Sequence, residues 1–156
     1  MYLITFESGV ITWFQLYLSV TVRQCWPFQL SVNPILPPKE QYNIGMALQG
    51  LGAENILVIG SGTTVHNLRW FFPDAAEPKP EALQFDDWII DKVQSRDIDS
   101  LDRYVESAPH ARLAVPRAEH FAPLFLAMGS GEGEKTPVVI HRSYEFGTLS
   151  NLCFEF

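Results

Sequence analysis

Apolar and polar positions follow two rhythms along this chain, and the switches between them predict its elements. Phe28, Gln29, Leu30, Ser31 and Val32 alternate, which predicts a strand ended by Asn33 and Pro34. Pro37 and Pro38 open a helix over residues 39–51, with Tyr42, Ile44, Ala47, Leu48 and Leu51 towards the core and Gly52 as its stop. Asn55, Ile56, Leu57, Val58 and Ile59 then form a continuous apolar run closed by Gly60, Ser61 and Gly62, the pattern of a central strand in a covered sheet. Strand, helix, strand in this order predicts an α/β fold, a sheet with helices packed on its faces. Residues 63–72 read as a loop or short helix, and 73–80 as a Pro-rich connection. From Glu81 the helical period returns: Phe85, Trp88, Ile89 and Val93 share a stripe, with Asp86, Asp87, Asp91 and Lys92 off it. A second helix is expected over 98–107, buried through Leu101, Tyr104 and Val105. A third is expected over 119–128, closed by Gly129. Pro137, Val138, Val139 and Ile140 read as a last buried strand before a mixed tail. Residues 10–20 suit an amphipathic helix or a strand equally, and periodicity leaves the two open.

Composition narrows the class. The chain has 156 residues and is 47% hydrophobic, enough for one domain with a real core and incompatible with a disordered chain. Its formal net charge of -7 argues against nucleic acid as a partner, since phosphate neutralisation needs a basic surface. Ten acids against four bases fall between positions 74 and 106, which reads as a solvated helical face. Cys25 and Cys153 lack any disulfide or zinc spacing, so a reducing, cytoplasmic setting is expected. The uncharged, largely apolar stretch 10–22 is too short to span a bilayer and lacks signal-peptide features, so no membrane partner is expected.

Four histidines carry the candidate chemistry. His66 lies six residues after Gly60, past the carboxyl end of the apolar strand, where ligands bind in open α/β sheets. An imidazole there can ligate a metal or act as general acid/base, or simply pack a loop. His120 opens the predicted third helix, a rigid place for a ligand and equally for a cap. His110 in a turn and His141 at a strand end read as surface residues. Gly60, Ser61 and Gly62 make neither a nucleophile elbow, since Ile59 occupies the place of its first glycine, nor a P-loop, since no Gly-Lys-Ser/Thr follows. Backbone N–H groups of that turn could cradle a phosphate, but no basic side chain precedes Arg69 there.

The pieces together resemble a known family. Gly60, Ser61, Gly62, Thr63, Thr64, Val65, His66, Asn67, Leu68 and Arg69 resemble the GSG-x-x-x-HNL signature of class III extradiol ring-cleavage dioxygenases, the LigB-like enzymes, in their DOPA extradiol dioxygenase subgroup. Upstream, Gln29 to Val32 and Gln41 to Gly45 resemble the preceding strand and helix. Downstream, the runs FDDW from Phe85, APHAR from Ala108, PRAEHFAPL from Pro116 and YEFGTLS from Tyr144 match in order. The resemblance covers roughly residues 27–150 and implies one truncated domain over 1–156, an incomplete C-terminal part of the LigB-like fold with a divergent segment at 1–25. It also implies a non-haem metal centre, Fe(II) with zinc as the alternative, built on His66 and His120. His66 would serve as ligand or as the group that moves the catechol proton. The implied reaction opens a catechol-type aromatic ring with O2, with homo- or hetero-oligomers as a further expectation.

Departures from the family pattern imply impaired activity. The family's N-terminal half with its early histidines has no counterpart. Ser8 stands where many members carry an active-site histidine, and Val115 where relatives often have another. The tail reads Ser150, Asn151, Leu152, Cys153 in place of Ser-Met. Two histidines make an open site, whereas a stable mononuclear site normally needs at least three protein ligands. Two other readings stay open at this point: a non-catalytic partner subunit or fragment with the same fold, and an unrelated α/β domain whose Gly-rich turn holds an anion.

Overall fold

The structure is a computed structural model, and it describes the backbone of residues 2–7 and 26–156, with side chains from residue 28 onward. Ser8 and the stretch 10–22 therefore lie outside the described residues. Strands β1 (Tyr2–Glu7), β2 (Trp26–Ser31) and β3 (Ile56–Gly60) form a parallel sheet in the order β2-β1-β3. Helix α1 (Pro38–Met46) lies in the connection from β2 to β3. The α/β expectation holds, with a parallel sheet joined through a helix as such crossovers require.

The apolar run at 56–59 lands in β3, which pairs with β1 alone and is an edge strand of the described sheet, so the expectation of a central position is corrected. Leu57 is 48% exposed, whereas Val58 packs on Val32, Ala122 and Leu126. A continuous apolar run does not distinguish a central strand from an edge strand covered mainly on one face.

Helix α1 starts as predicted, with Pro38 in its first turn and Glu40 near the positive end of its dipole. Of the predicted inward residues, Tyr42 and Leu48 pack half-buried against the core, but the most buried face is a different one. Gln41 and Gly45 are buried while Ile44 is largely exposed, because α1 crosses helix α6 (Ala122–Ser130) at backbone contact. A Cβ on Gly45 would overlap the Leu126 carbonyl, and one on Gly129 the Tyr42 carbonyl. Small residues at the crossing outrank large apolar ones there, so the predicted stripe is rotated. The helix also ends early, at Met46; a left-handed Gly50 and a 3-10 turn, Leu51–Glu54, lead into β3. Gly129 packs inside α6 and does not close it.

The main core lies within the helical layer. Helix α2 (Pro80–Gln94) buries Ala82, Phe85, Ile89 and Val93 against Val65, Leu101, Tyr104, Phe121, Phe125 and Met128. The predicted helix at 98–107 is broken into α3 (Ile98–Asp102) and α4 (Tyr104–Ser107) at Arg103, and Val105 is exposed. Asp97 caps α3 by accepting from the Ser100 N–H at 3.0 Å. Helix α5 (Ala111–Ala114) follows a left-handed His110. The predicted helix at 119–128 is a 3-10 turn, Ala118–His120, followed by α6. Strand β4 (Val138–His141) pairs antiparallel with β7 (Cys153–Glu155), and β5 (Tyr144–Glu145) with β6 (Leu149–Ser150). Val138 and Ile140 are 54% and 60% exposed, so the last strand is not buried as expected. Among the described residues no helix is long and apolar enough to cross a membrane.

Candidate functional site

The carboxyl end of β3 runs straight into the candidate site. A Cβ on Gly60 would strike the Pro123 carbonyl, and one on Gly62 the His120 carbonyl. The Thr63 N–H donates to that same His120 carbonyl at 2.8 Å. The glycines of this turn are therefore occupied by the segment carrying His120. The space proposed for an anion between the glycines is filled by protein, which removes the phosphate-cradle reading.

The next four residues are held one by one. Thr64 is buried and donates its hydroxyl to Asp86 Oδ1, while the Val65 carbonyl accepts from the Ser150 N–H at 3.1 Å. The His66 N–H donates to the Ala114 carbonyl at 3.1 Å, and the Asn67 side-chain amide to the Leu113 carbonyl at 2.8 Å. His66 and His120 consequently meet, ring centroids 5.1 Å apart and planes at 70°. These are the two histidines singled out in the sequence.

His66 is held at one of its ring nitrogens. Its Nε2 lies 2.8 Å from the Arg117 carbonyl, which only accepts, so the neutral ring carries its proton on Nε2. Nδ1 is buried and makes no hydrogen bond among the described residues. Burial pushes the imidazole pKa below its usual value and neighbouring His120 adds to this, while the backbone at Arg117 and Thr63 pulls the other way. The result is a half-buried neutral imidazole with one bare nitrogen.

The other histidines serve elsewhere. His110 pairs with Gln84 Oε1 at 2.9 Å and His141 with the Ser143 hydroxyl at 2.8 Å, both exposed, as expected of surface residues. No group of three or more His, Cys, Asp or Glu poised to hold a metal occurs among the described residues. The two imidazoles have the right donor chemistry for a divalent transition metal but supply only two protein ligands. Val115 is buried in the core and lines an open cleft of about 260 Å³ with Tyr104, Arg112 and Arg117.

Sequence reasoning missed Asp86. The acid-rich pattern reads Asp86 as solvated, yet it is 0% exposed. Its Oδ1 accepts from Thr64 at 2.5 Å, and its Oδ2 from Ser150 at 2.5 Å and Tyr144 at 2.8 Å. Burial raises its pKa, with the three hydroxyls opposing. Tyr144, desolvated and facing Asp86, is raised far above the phenol range; Arg142 donates to its oxygen at 2.8 Å and to Asp87 at 2.7 Å. A signal was present: Ala82, Asp86, Ile89 and Val93 recur at helical spacing, which puts Asp86 on the buried face.

Comparison with known proteins places the site in context. Residues 8–154 match the family described as the catalytic LigB subunit of aromatic ring-opening dioxygenase. A 4,5-DOPA dioxygenase extradiol of Portulaca grandiflora is 37% identical over 133 residues, 82% of this chain and 48% of that protein. Proteins of the same name from Beta vulgaris and Escherichia coli K12 are 34% and 28% identical over 82% and 80% of the chain, covering 48% and 47% of their own lengths. The crystal structure of an uncharacterized Escherichia coli K12 protein superposes with a TM-score of 0.73 at 24% identity, over 84% of this chain and 55% of that one. The chain thus spans about half the length of the curated relatives it matches. With residues 8–154 of its 156 matched by the family model, and a 37% identical relative aligned over 82% of this chain, the chain belongs to the LigB family of aromatic ring-opening dioxygenases.

Proposed function

We propose that this chain contributes His66 and His120 to a metal-dependent extradiol dioxygenase site that opens a catechol-type aromatic ring with O2. The observation that carries this reading is the meeting of the two imidazoles at 5.1 Å, with His66 locked through Nε2. A non-haem Fe(II), or zinc in a related role, would supply Lewis-acid chemistry that gathers the catechol oxygens and dioxygen in one place. His120 is the ligand in this assignment. His66 has a single bare nitrogen, Nδ1, so it can ligate or take the catechol proton but not both at once. Its depressed pKa keeps the ring neutral and able to accept. After accepting at Nδ1, the imidazolium would keep its Nε2–H on the Arg117 carbonyl, which favours the charged form.

A second reading is favoured by the donor count. Two histidines meet among the described residues and no third His, Cys, Asp or Glu joins them. In this reading the chain is a subunit or fragment that keeps the fold and depends on a partner for further ligands. Anaerobic titration of the metal-free chain with Fe(II) separates the two. Binding tighter than about 10 μM, roughly 7 kcal/mol, lost in both His66→Ala and His120→Ala, supports the site and makes catechol consumption worth measuring. Absence of specific binding by the folded chain overturns autonomous function and leaves the partner reading.

A further inference from the structure

Asp86 is the buried charge that the reaction scheme leaves unused. It lies on the buried face of α2 with Ala82, Ile89 and Val93, and the base beside it is Arg142, which donates to Tyr144, Asp87 and the Leu83 carbonyl. Its partners sit in two other parts of the chain. Thr64 precedes His66 by two residues, and Ser150 and Tyr144 belong to the C-terminal β5–β6 pair. Ser150 also donates its backbone N–H to the carbonyl of Val65, the residue just before His66. The carboxylate thus joins α2, the His66 loop and the β5–β6 pair at one point, and both strands of the junction end on the two residues that aim His66.

The acceptor count matches. A carboxylate offers acceptors only, and here three hydroxyls donate to it, one to Oδ1 and two to Oδ2. An apolar residue would leave two buried hydroxyls and the half-buried Tyr144 phenol without their acceptor, and an amide would turn one acceptor into a donor facing a hydroxyl. A side chain present only to fill α2's buried face would need no such set.

We propose that Asp86 is a positioning residue for His66: through Thr64 and Ser150 it holds the loop so that Nε2 stays on the Arg117 carbonyl and the ring keeps its edge contact with His120. The proposal deepens the reading above and rests on His66 as the working imidazole. The isosteric Thr64→Val severs the direct link with little threat to folding, and Asp86→Asn alters the hub itself. The first readout needs no metal: the imidazole nitrogen and proton resonances of His66 in the apo chain, with His110 and His141 as internal references.

Wild type should show a single Nε2–H form with a slowly exchanging proton. Thr64→Val and Asp86→Asn should show a tautomer mixture with fast exchange at His66, His110 and His141 being unchanged, and Zn(II) affinity should fall at least tenfold. Retention of the wild-type His66 signature in folded Thr64→Val overturns the proposal, and that variant decides the matter alone where Asp86→Asn does not fold. Failure of the wild-type chain to bind Zn(II) would count against the functional reading while leaving the resonance comparison intact, so the two failures are told apart.

Discussion

At the scale of single residues the site depends on groups that have no side-chain chemistry. Gly62 has its Cα against the His120 carbonyl, where a Cβ would come within 2.1 Å of the oxygen. Gly62→Ala must therefore push the 3-10 turn at Ala118–His120 outward and weaken the Thr63 hydrogen bond to the same carbonyl. The expected result is a loss of about 1–3 kcal/mol of stability together with loss of metal binding, read by urea unfolding and by the Fe(II) titration. Gly52→Ala, with open space around its Cβ, is the control that should change neither. Asp86 gives a pH prediction. Its folded-state pKa is raised above 3.8, so between those values the native chain binds more protons than the unfolded one. Stability contributed by this group therefore rises on acidification through that window and falls as pH rises through the folded pKa. Thermal melts should show wild type gaining on Asp86→Asn as pH drops towards 4, and a constant difference would refute the assignment. The two histidines of the proposed site were legible because family motifs surround them. Asp86 was not, because an acid beside a second acid, Asp87, in an acid-rich segment looks solvated until its phase relative to Ala82, Ile89 and Val93 is weighed.

At the scale of elements, crossings set what the sequence pattern alone could not. The helices of the core were visible where large apolar residues recur, as in Phe85, Ile89 and Val93 of α2. They were misjudged where backbone approach replaces side-chain packing. In α1 the buried positions are Gln41 and Gly45, and the pattern of large residues pointed a different way. The break at Arg103 was equally hidden, since Leu101 and Tyr104 keep a helical spacing across two short helices. The α1–α6 crossing yields a sharp expectation. Gly129→Ala would put a Cβ 2.1 Å from the Tyr42 carbonyl, so the helices must part, with a loss of about 1–3 kcal/mol. Phe125→Ala, which empties the middle of the Phe121–Phe125 edge contact in the core, should cost about 3–5 kcal/mol. Equilibrium unfolding compares the two: a larger loss for Gly129→Ala than for Phe125→Ala would mean that the crossing, not the aromatic core, dominates the helical layer.

At the scale of the whole molecule, the carboxyl end of β3 is a seam where the parallel sheet runs into the helical layer, and it carries the two histidines. Gly60 abuts the Pro123 carbonyl at the start of α6, Gly62 abuts His120, and the Asp86 junction draws the C-terminal β5–β6 pair onto the same loop. Fold class and the strand–helix–strand order from β2 to β3 were legible because strand and helix periods switch cleanly there. The edge position of β3 was not, because the partners of a strand are set by residues far from it. A ligand bound at the seam contacts both layers and should tie them together. Metal held by His66 and His120 should thus stabilise the folded chain as a whole, by about 2.7 kcal/mol when free metal is 100 times its dissociation constant. For a chain of this size that corresponds to a rise in Tm of roughly 5–11 °C. His120→Ala should abolish the rise, whereas His110→Ala and His141→Ala should keep it, since those rings pair with Gln84 and Ser143 outside the seam. A rise of equal size in all four proteins would place the metal somewhere other than between the two imidazoles.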